Sequence, residues 1–187
     1  MERIKQQHRK TLALQVLSWI VYAVRPLQLG EVQHAVAIDE LEPDEPSISE
    51  EYLTPQSIIV NSCAGLVKID RESNVISLVH KTTQEYFDRR GRDHFPGAQK
   101  DIAETCLKYL SLETFSEGHC STDKSYERRL RESTLLEYAA RNLGYHIDRV
   151  TEGNLRDLAL KFLLDGRKLS CASQALFVDK NQWFLEY

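Results

Sequence analysis

Apolar residues along most of the 187-residue chain recur every three or four positions, the spacing of helices that each bury one face. Leu12, Val16, Trp19, Ile20 and Ala23 fall at i, i+4, i+7, i+8 and i+11, and Leu14, Leu17, Val21 and Val24 occupy much of the remaining circumference. The first helix is therefore expected to be central and buried on most sides. It should end by Arg25, because Pro26 lacks an amide proton and pushes the residue before it out of the helical region. Val32, Ala35 and Val36 mark a second helix. Thr54-Pro55 opens a third, since a threonine hydroxyl can cap and proline is tolerated at the first helical position. Ile58, Ile59, Ser62 and Cys63 would form its inward face, and Gly65 a left-handed stop.

One stretch departs from this period. Val67 and Ile69 alternate with Lys68 and Asp70, Ile76 and Leu78 alternate with Ser77, and Arg71 to Asn74 lie between as a polar turn. That is a hairpin with Val67, Ile69, Ile76 and Leu78 on one face. Two strands alone are marginal, so the hairpin must lie on helices. Three helices followed by a small hairpin are the pattern of a winged helix. The Ser/Thr-x-x-Glu spacing of Thr82 to Glu85 starts the next helix near Thr82. His80 then falls at the junction of a strand and a helix N-terminus, a good place for an anion.

Arg90 to Gly97 is rich in turn formers and predicts a bend or boundary. Beyond it the periods are helical again: Ile102, Cys106, Tyr109 and Leu110; Leu136, Ala139, Ala140 and Leu143; Leu155, Leu158, Ala159, Phe162 and Leu163. Thr151 is a plausible cap for the last of these and Gly166 a plausible stop. The expected architecture is mainly α, a winged helix of three helices and a β-hairpin wing over residues 8–92, followed by an α-helical bundle over 93–187. The tail, with Leu176, Phe177, Val178, Trp183, Phe184 and Leu185, calls for a surface to cover, so the chain is expected to be cut from something longer.

Charge changes this picture at one point. Seven acidic residues and no basic one lie between Asp39 and Glu51, interrupted by Pro43 and Pro46, which predicts a solvated loop. A winged helix suggests DNA, but Thr54 to Ala64 contains no Lys or Arg, and phosphate neutralisation supplies most of the affinity in such complexes. The hydrophobic content of 42% and net charge of -4 suit a soluble globular protein. No apolar run approaches the ~20 residues that span a bilayer, so a cytoplasmic location without membrane contact is expected. Cys63, Cys106, Cys120 and Cys171 show no paired spacing and read as reduced thiols. No phosphate-cradling Gly-rich loop, nucleophile elbow or His-Glu-x-x-His occurs, and adjacent His119 and Cys120 make a poor metal pair. No enzyme activity, metal or cofactor of this chain's own is expected.

Leu17-Ser-Trp-Ile-Val-Tyr-Ala-Val-Arg-Pro-Leu, Glu31-Val-Gln-His-Ala-Val-Ala-Ile, Cys63-Ala-Gly-Leu-Val, Leu78-Val-His-Lys-Thr-Thr-Gln-Glu-Tyr-Phe and Tyr138-Ala-Ala-Arg-Asn together resemble the region after the nucleotide-binding domain in fungal NACHT-ankyrin proteins. These belong to the STAND class of signalling NTPases, and their winged helix is similar to that of the GPI inositol-deacylases. The resemblance implies a regulatory, connecting module whose partners are a NACHT domain upstream and ankyrin repeats downstream, with homo-oligomers on activation of the full-length protein. ADP or ATP would be held only with that upstream domain. In related switches a histidine at the end of the wing contacts the phosphate of ADP. His80 is similarly placed, and Lys81 beside it is placed to approach a phosphate. A histidine that merely packs the junction is the alternative for His80. A free-standing protein-interaction adaptor and a DNA-binding regulator are the alternatives for the chain.

Overall fold

The computed structural model describes residues 2–41, 45–150 and 155–178. The first helix, α1 (Glu2–Tyr22), buries Leu12, Val16, Leu17 and Trp19 but leaves Leu14 39% exposed, and Val24, just beyond its end, is 44% exposed. It is one wall of the core rather than its centre. The element buried nearly all round is α5 (Ala98–Leu110), in which Ile102, Ala103, Cys106, Leu107, Tyr109 and Leu110 are each at most 1% exposed. The correction has a simple cause: α1 packs on α2, α3, α4, α5 and β3 but leaves the side that carries Leu14 open, whereas α5 packs on elements from both ends of the chain.

After α1 the chain enters β1 (Leu27–Gln28), which pairs with the later strand β3 through Leu27 opposite Ile76 and Gln28 opposite Val75. The sheet thus has three antiparallel strands in the order β1-β3-β2, not the two expected. A two-residue strand is too short to show alternation. Helix α2 (Leu29–Ala37) follows at once, buries Val32, Ala35 and Val36, and has the Gln28 amide donating to Glu31 Oε2 at 2.8 Å. That bond is the carboxylate half of a capping box.

A 3-10 turn at Glu50–Tyr52 leads into α3 (Gln56–Ser62). Pro55 occupies the capping position in an extended conformation, one residue later than anticipated, and Thr54 makes no hydroxyl cap. Ile59 and Cys63 face the core while Ile58 points outward, 46% exposed. Ala64 and Gly65 both have positive φ, 49° and 80°, so the left-handed stop expected at Gly65 is shared with a residue that bears a side chain. The hairpin follows with β2 (Val67–Ile69) and β3 (Val75–Leu78), in the expected register: Val67 opposite Leu78, Ile69 opposite Ile76. Asp70 Oδ1 accepts from the Ser73 amide and hydroxyl at 2.9 and 2.7 Å and shapes the turn. Val67 and Ile76 are buried; Ile69 and Leu78 are half-buried against the core.

Helix α4 (Lys81–His94) starts one residue before Thr82, with His80 at the capping position, and runs through the predicted bend at Gly91. Gly91 is helical, and the missing side chain makes room for α1: a Cβ there would sit 2.6 Å from the Tyr22 hydroxyl. The chain turns instead at Phe95-Pro96-Gly97, and the boundary drawn after residue 92 falls inside α4.

The remaining helices are α6 (Asp123–Glu132), α7 (Leu136–Asp148), α8 (Arg156–Leu164) and α9 (Gly166–Phe177). Gly166 opens α9 rather than stopping α8, because Asp165 caps the new helix by accepting from the Arg167 and Lys168 amides, each at 3.2 Å. Leu136, Ala139 and Phe162 are buried as expected, but Leu163 is 54% exposed. Thr151 and the aromatic tail from Trp183 to Leu185 lie outside the described residues. One hydrophobic cluster runs from Leu12 in α1 to Ala175 in α9.

Candidate functional site

The end of β3 delivers the chain to α4 in three residues. The Val79 amide donates to Leu66 O at 2.9 Å, which closes the base of the hairpin. His80 is extended, and its carbonyl accepts from the Thr83 and Gln84 amides at 3.1 and 3.3 Å. Its imidazole is exposed and makes no hydrogen bond among the described residues. Lys81 is exposed too, its Nζ at 4.0 Å from Glu85. Thr82 therefore caps nothing, and Glu85 answers Lys81 instead. The first turn of α4 has no acidic residue and no side-chain cap, and with the Thr83 and Gln84 amides taken by His80 O, the Lys81 and Thr82 amides and the dipole's positive end are left open to an anion.

A second constellation has no such openness. Tyr138 of α7 is fully buried and stands edge-on to Trp19 of α1 at 5.7 Å between ring centres. Its hydroxyl accepts from the Val24 amide at 3.1 Å, beyond the end of α1, and lies 2.8 Å from His146 Nε2. His146 Nδ1 is 2.7 Å from Gln99 Oε1 in α5. An amide oxygen can only accept, so Nδ1 carries the proton, Nε2 is bare, and the tyrosine proton goes to Nε2. The Tyr138 hydroxyl thus accepts from one partner and donates to the other, and both His146 nitrogens are satisfied. The Arg25 guanidinium lies 5.2 Å from the Tyr138 ring centre and is bidentate to buried Glu31, at 2.6 and 3.0 Å. Burial, with help from the Arg149 charge, pulls the His146 pKa down to about 4, which keeps the ring neutral as the relay demands.

His34 of α2 forms a similar joint with α5. Its Nδ1 is 2.9 Å from the buried Tyr109 hydroxyl, and burial lowers its pKa to about 4. The two joints fasten α1 and α2 to α5 and α7. Sequence reasoning quoted Tyr138 and His34 within motifs but assigned neither a partner. Their only signal was a tyrosine and a histidine on apolar helix faces.

The other sequence candidates disperse. His119 Nδ1 is 3.1 Å from Ser170 Oγ, while the Cys120 backbone is bridged by Gln174 at 2.7 and 2.9 Å. Among the described residues no group of three or more His, Cys, Asp or Glu is arranged to hold a metal. All four cysteines are free, and burial pushes the Cys63 thiol up to about 11. Among the described residues no helix is long and apolar enough to cross a membrane.

A mainly helical chain with a small antiparallel sheet whose last strand runs into a helix is the frame in which the comparisons fall. The family model of the GPI inositol-deacylase winged helix domain matches residues 1–103, more than half of the chain. The chain belongs to that winged-helix family. No curated protein and no solved structure matches it.

Proposed function

We propose that the chain is a non-catalytic regulatory module of a NACHT-type, STAND-class signalling NTPase that works in the cytoplasm. Residues 8–92, with α1 to α3 and the β2–β3 wing, would hold the nucleotide-binding domain closed while ADP is bound. Residues 93–187 would couple that movement to a C-terminal repeat array such as ankyrin repeats, and the activated full-length protein would assemble into homo-oligomers. The observation that carries this reading is His80, exposed and unbonded at the opening of an uncapped helix. An upstream ADP phosphate docked there would meet the imidazole, with Lys81 beside it, at a helix N-terminus. The buried Tyr138 and His34 joints support the mechanical part, because a swinging module must move as one body to transmit anything. The absence of Lys and Arg from α3 argues against a DNA reader.

In the full-length protein His80→Ala is expected to speed ADP release and to activate the switch without its signal; unchanged ADP release would remove the latch. The isolated chain, which has no phosphate-cradling loop, is expected to give no heat with ADP or ATP in calorimetry. Tight binding there would place a nucleotide site within this chain and overturn the reading.

A further inference from the structure

The loop that joins the 3-10 turn at Glu113–Phe115 to α6 crosses one face of α9 residue by residue. Gly118, at φ 82°, turns the chain so that a Cβ on it would lie 3.6 Å from the Arg167 carbonyl oxygen. His119 Nδ1 is 3.1 Å from Ser170 Oγ. The Cys120 amide donates to Gln174 Oε1 at 2.7 Å, and its carbonyl accepts from Gln174 Nε2 at 2.9 Å, so the Cys120 backbone is clamped from both sides. Arg167, Ser170 and Gln174 stand at i, i+3 and i+7, and Cys171, at i+4, is the remaining member of that helical face. The loop therefore lays Cys120 beside Cys171.

Arg129 of α6 ties the same place together, its Nη1 donating both to Gly118 O and, at 3.3 Å, to Cys171 Sγ. Burial raises the pKa of the Cys171 thiol, the Arg129 charge opposes the rise, and a charge on Cys120 adds to it, so the two sulfurs lie within each other's field. The thiols of Cys63 and Cys106 are pushed up by burial with no such counterweight. Access divides the pair. Cys171 is 1% exposed, whereas Cys120 is half-buried and can be reached by a small molecule. A reachable thiol beside a sealed one that a guanidinium contacts is the arrangement of an attacking and a resolving cysteine. We propose that Cys120 and Cys171 form a reversible oxidation site for hydrogen peroxide, whose product is a disulfide that staples the loop at 116–122 to α9. The Cys120 thiolate attacks one peroxide oxygen, the O–O bond breaks, and Cys120 becomes a sulfenic acid while the departing hydroxide takes up a proton as water. Cys171 sulfur then attacks Cys120 sulfur, the S–O bond breaks, and the Cys171 proton leaves with that hydroxide as a second water. Two thiols and one peroxide thus give one disulfide and two waters, the two electrons lost by sulfur having reduced the peroxide. This goes beyond the nucleotide-switch reading, since neither cysteine lies at the His80 junction.

The test uses the reduced 187-residue chain, treated with a slight excess of hydrogen peroxide, blocked with an alkylating reagent, digested with trypsin and read by mass spectrometry. A peptide pair joined through Cys120 and Cys171 is expected, with Cys63 and Cys106 alkylated, and dithiothreitol is expected to reverse the link. Cys171→Ser is expected to strand Cys120 as a sulfenic acid, labelled by dimedone at least about tenfold more than in the unchanged chain. Cys120→Ser is expected to leave Cys171 reduced. In urea the same treatment is expected to scatter the pairing among the four cysteines, because the fold no longer sets one beside the other. The proposal is overturned if all four thiols survive peroxide, if Cys120 runs on to the sulfinic acid with Cys171 reduced, if the bridge forms through Cys63 or Cys106, or if Cys120 links two chains. The same pairing in urea as in the folded chain would also overturn it, since the site would then owe nothing to the structure.

Discussion

His146 and His80 both stand where two elements meet, and the chain treats them in opposite ways. His146 is sealed, with both ring nitrogens used and its charge suppressed by burial. His80 is exposed, unbonded, and set at a helix end that carries no cap. A buried polar group left without partners is costly, so a sealed histidine must be satisfied within the fold. A histidine left open is under no such demand and is available to something outside. The first kind of site holds the module together; the second is where the module can be addressed.

The sharpest way to break the comparison is at Tyr138. Tyr138→Ala removes a fully buried ring together with the bonds to Val24 and His146, and is expected to destabilise the chain by about 3–5 kcal/mol. Tyr138→Phe keeps the ring but strands the Val24 amide and His146 Nε2, for a loss of about 1–3 kcal/mol. Denaturant melts check both. If the two variants lose the same amount, packing contributes little there and the relay is the whole of the joint.

The hairpin lies between the extremes. Ile76, paired with Ile69 across the ladder, is 2% exposed, whereas Ile69 is only half-buried. Ile76→Ala is expected to cost about 2–4 kcal/mol and Ile69→Ala about half as much, given the smaller area removed from water. Equal losses would mean that Ile69 is covered in solution by contacts beyond those of the sheet.

Proton uptake probes the sealed sites without mutation. The folded pKa values of His34 and His146, about 4 against an ordinary 6.5, are depressed, so the unfolded chain binds protons more readily than the folded one. The stability they contribute is complete above about pH 6.5 and is lost as pH falls toward 4, by about 1–3 kcal/mol for each histidine. Urea melts at intervals from pH 7.5 to 4 measure the slope. His146→Gln should flatten its share of that slope.

Much of this frame was legible in the residues, and the failures share a cause. The hairpin, its register and the inward faces of α2 and α5 follow from side-chain period, which is local. Gly91 reads as a turn former but sits in a helix, where the missing Cβ leaves room for Tyr22, 69 positions away. Gly166 reads as a stop, yet the Asp165 carboxylate makes it a start. Strand β1 exists only because β3 offers it an edge. As for the candidate site, the position of His80 at a strand-to-helix junction was visible from the alternation before it and the helix after it. Its exposure was not, because whether a junction faces solvent depends on the packing of distant helices. Tyr138 was harder still, for its partners are Trp19 in α1, the Val24 amide just beyond it, and His146 in α7 itself, which in turn is held by Gln99 of α5.

The smallest expected effect belongs to the open histidine. His80 contributes a backbone carbonyl to α4 and no side-chain cap, so His80→Ala removes an imidazole that touches solvent on one side and changes no internal bond. Such surface substitutions stay within about 0.5 kcal/mol. The same reasoning gives a variant that should move stability upward. His80→Asp or His80→Ser places an oxygen at the capping position of α4, where it can accept from the Thr82 amide, which makes no backbone bond among the described residues, and is expected to add about 0.5–1 kcal/mol. A capping carboxylate would occupy the space and cancel the field that an incoming phosphate requires, so the gain in the isolated chain should be accompanied by faster ADP release in the full-length protein. If His80→Asp stabilises the chain and leaves ADP release unchanged, the junction is only an uncapped helix end. If it fails to stabilise the chain at all, the Thr82 amide is not free, and the contrast with His146 dissolves.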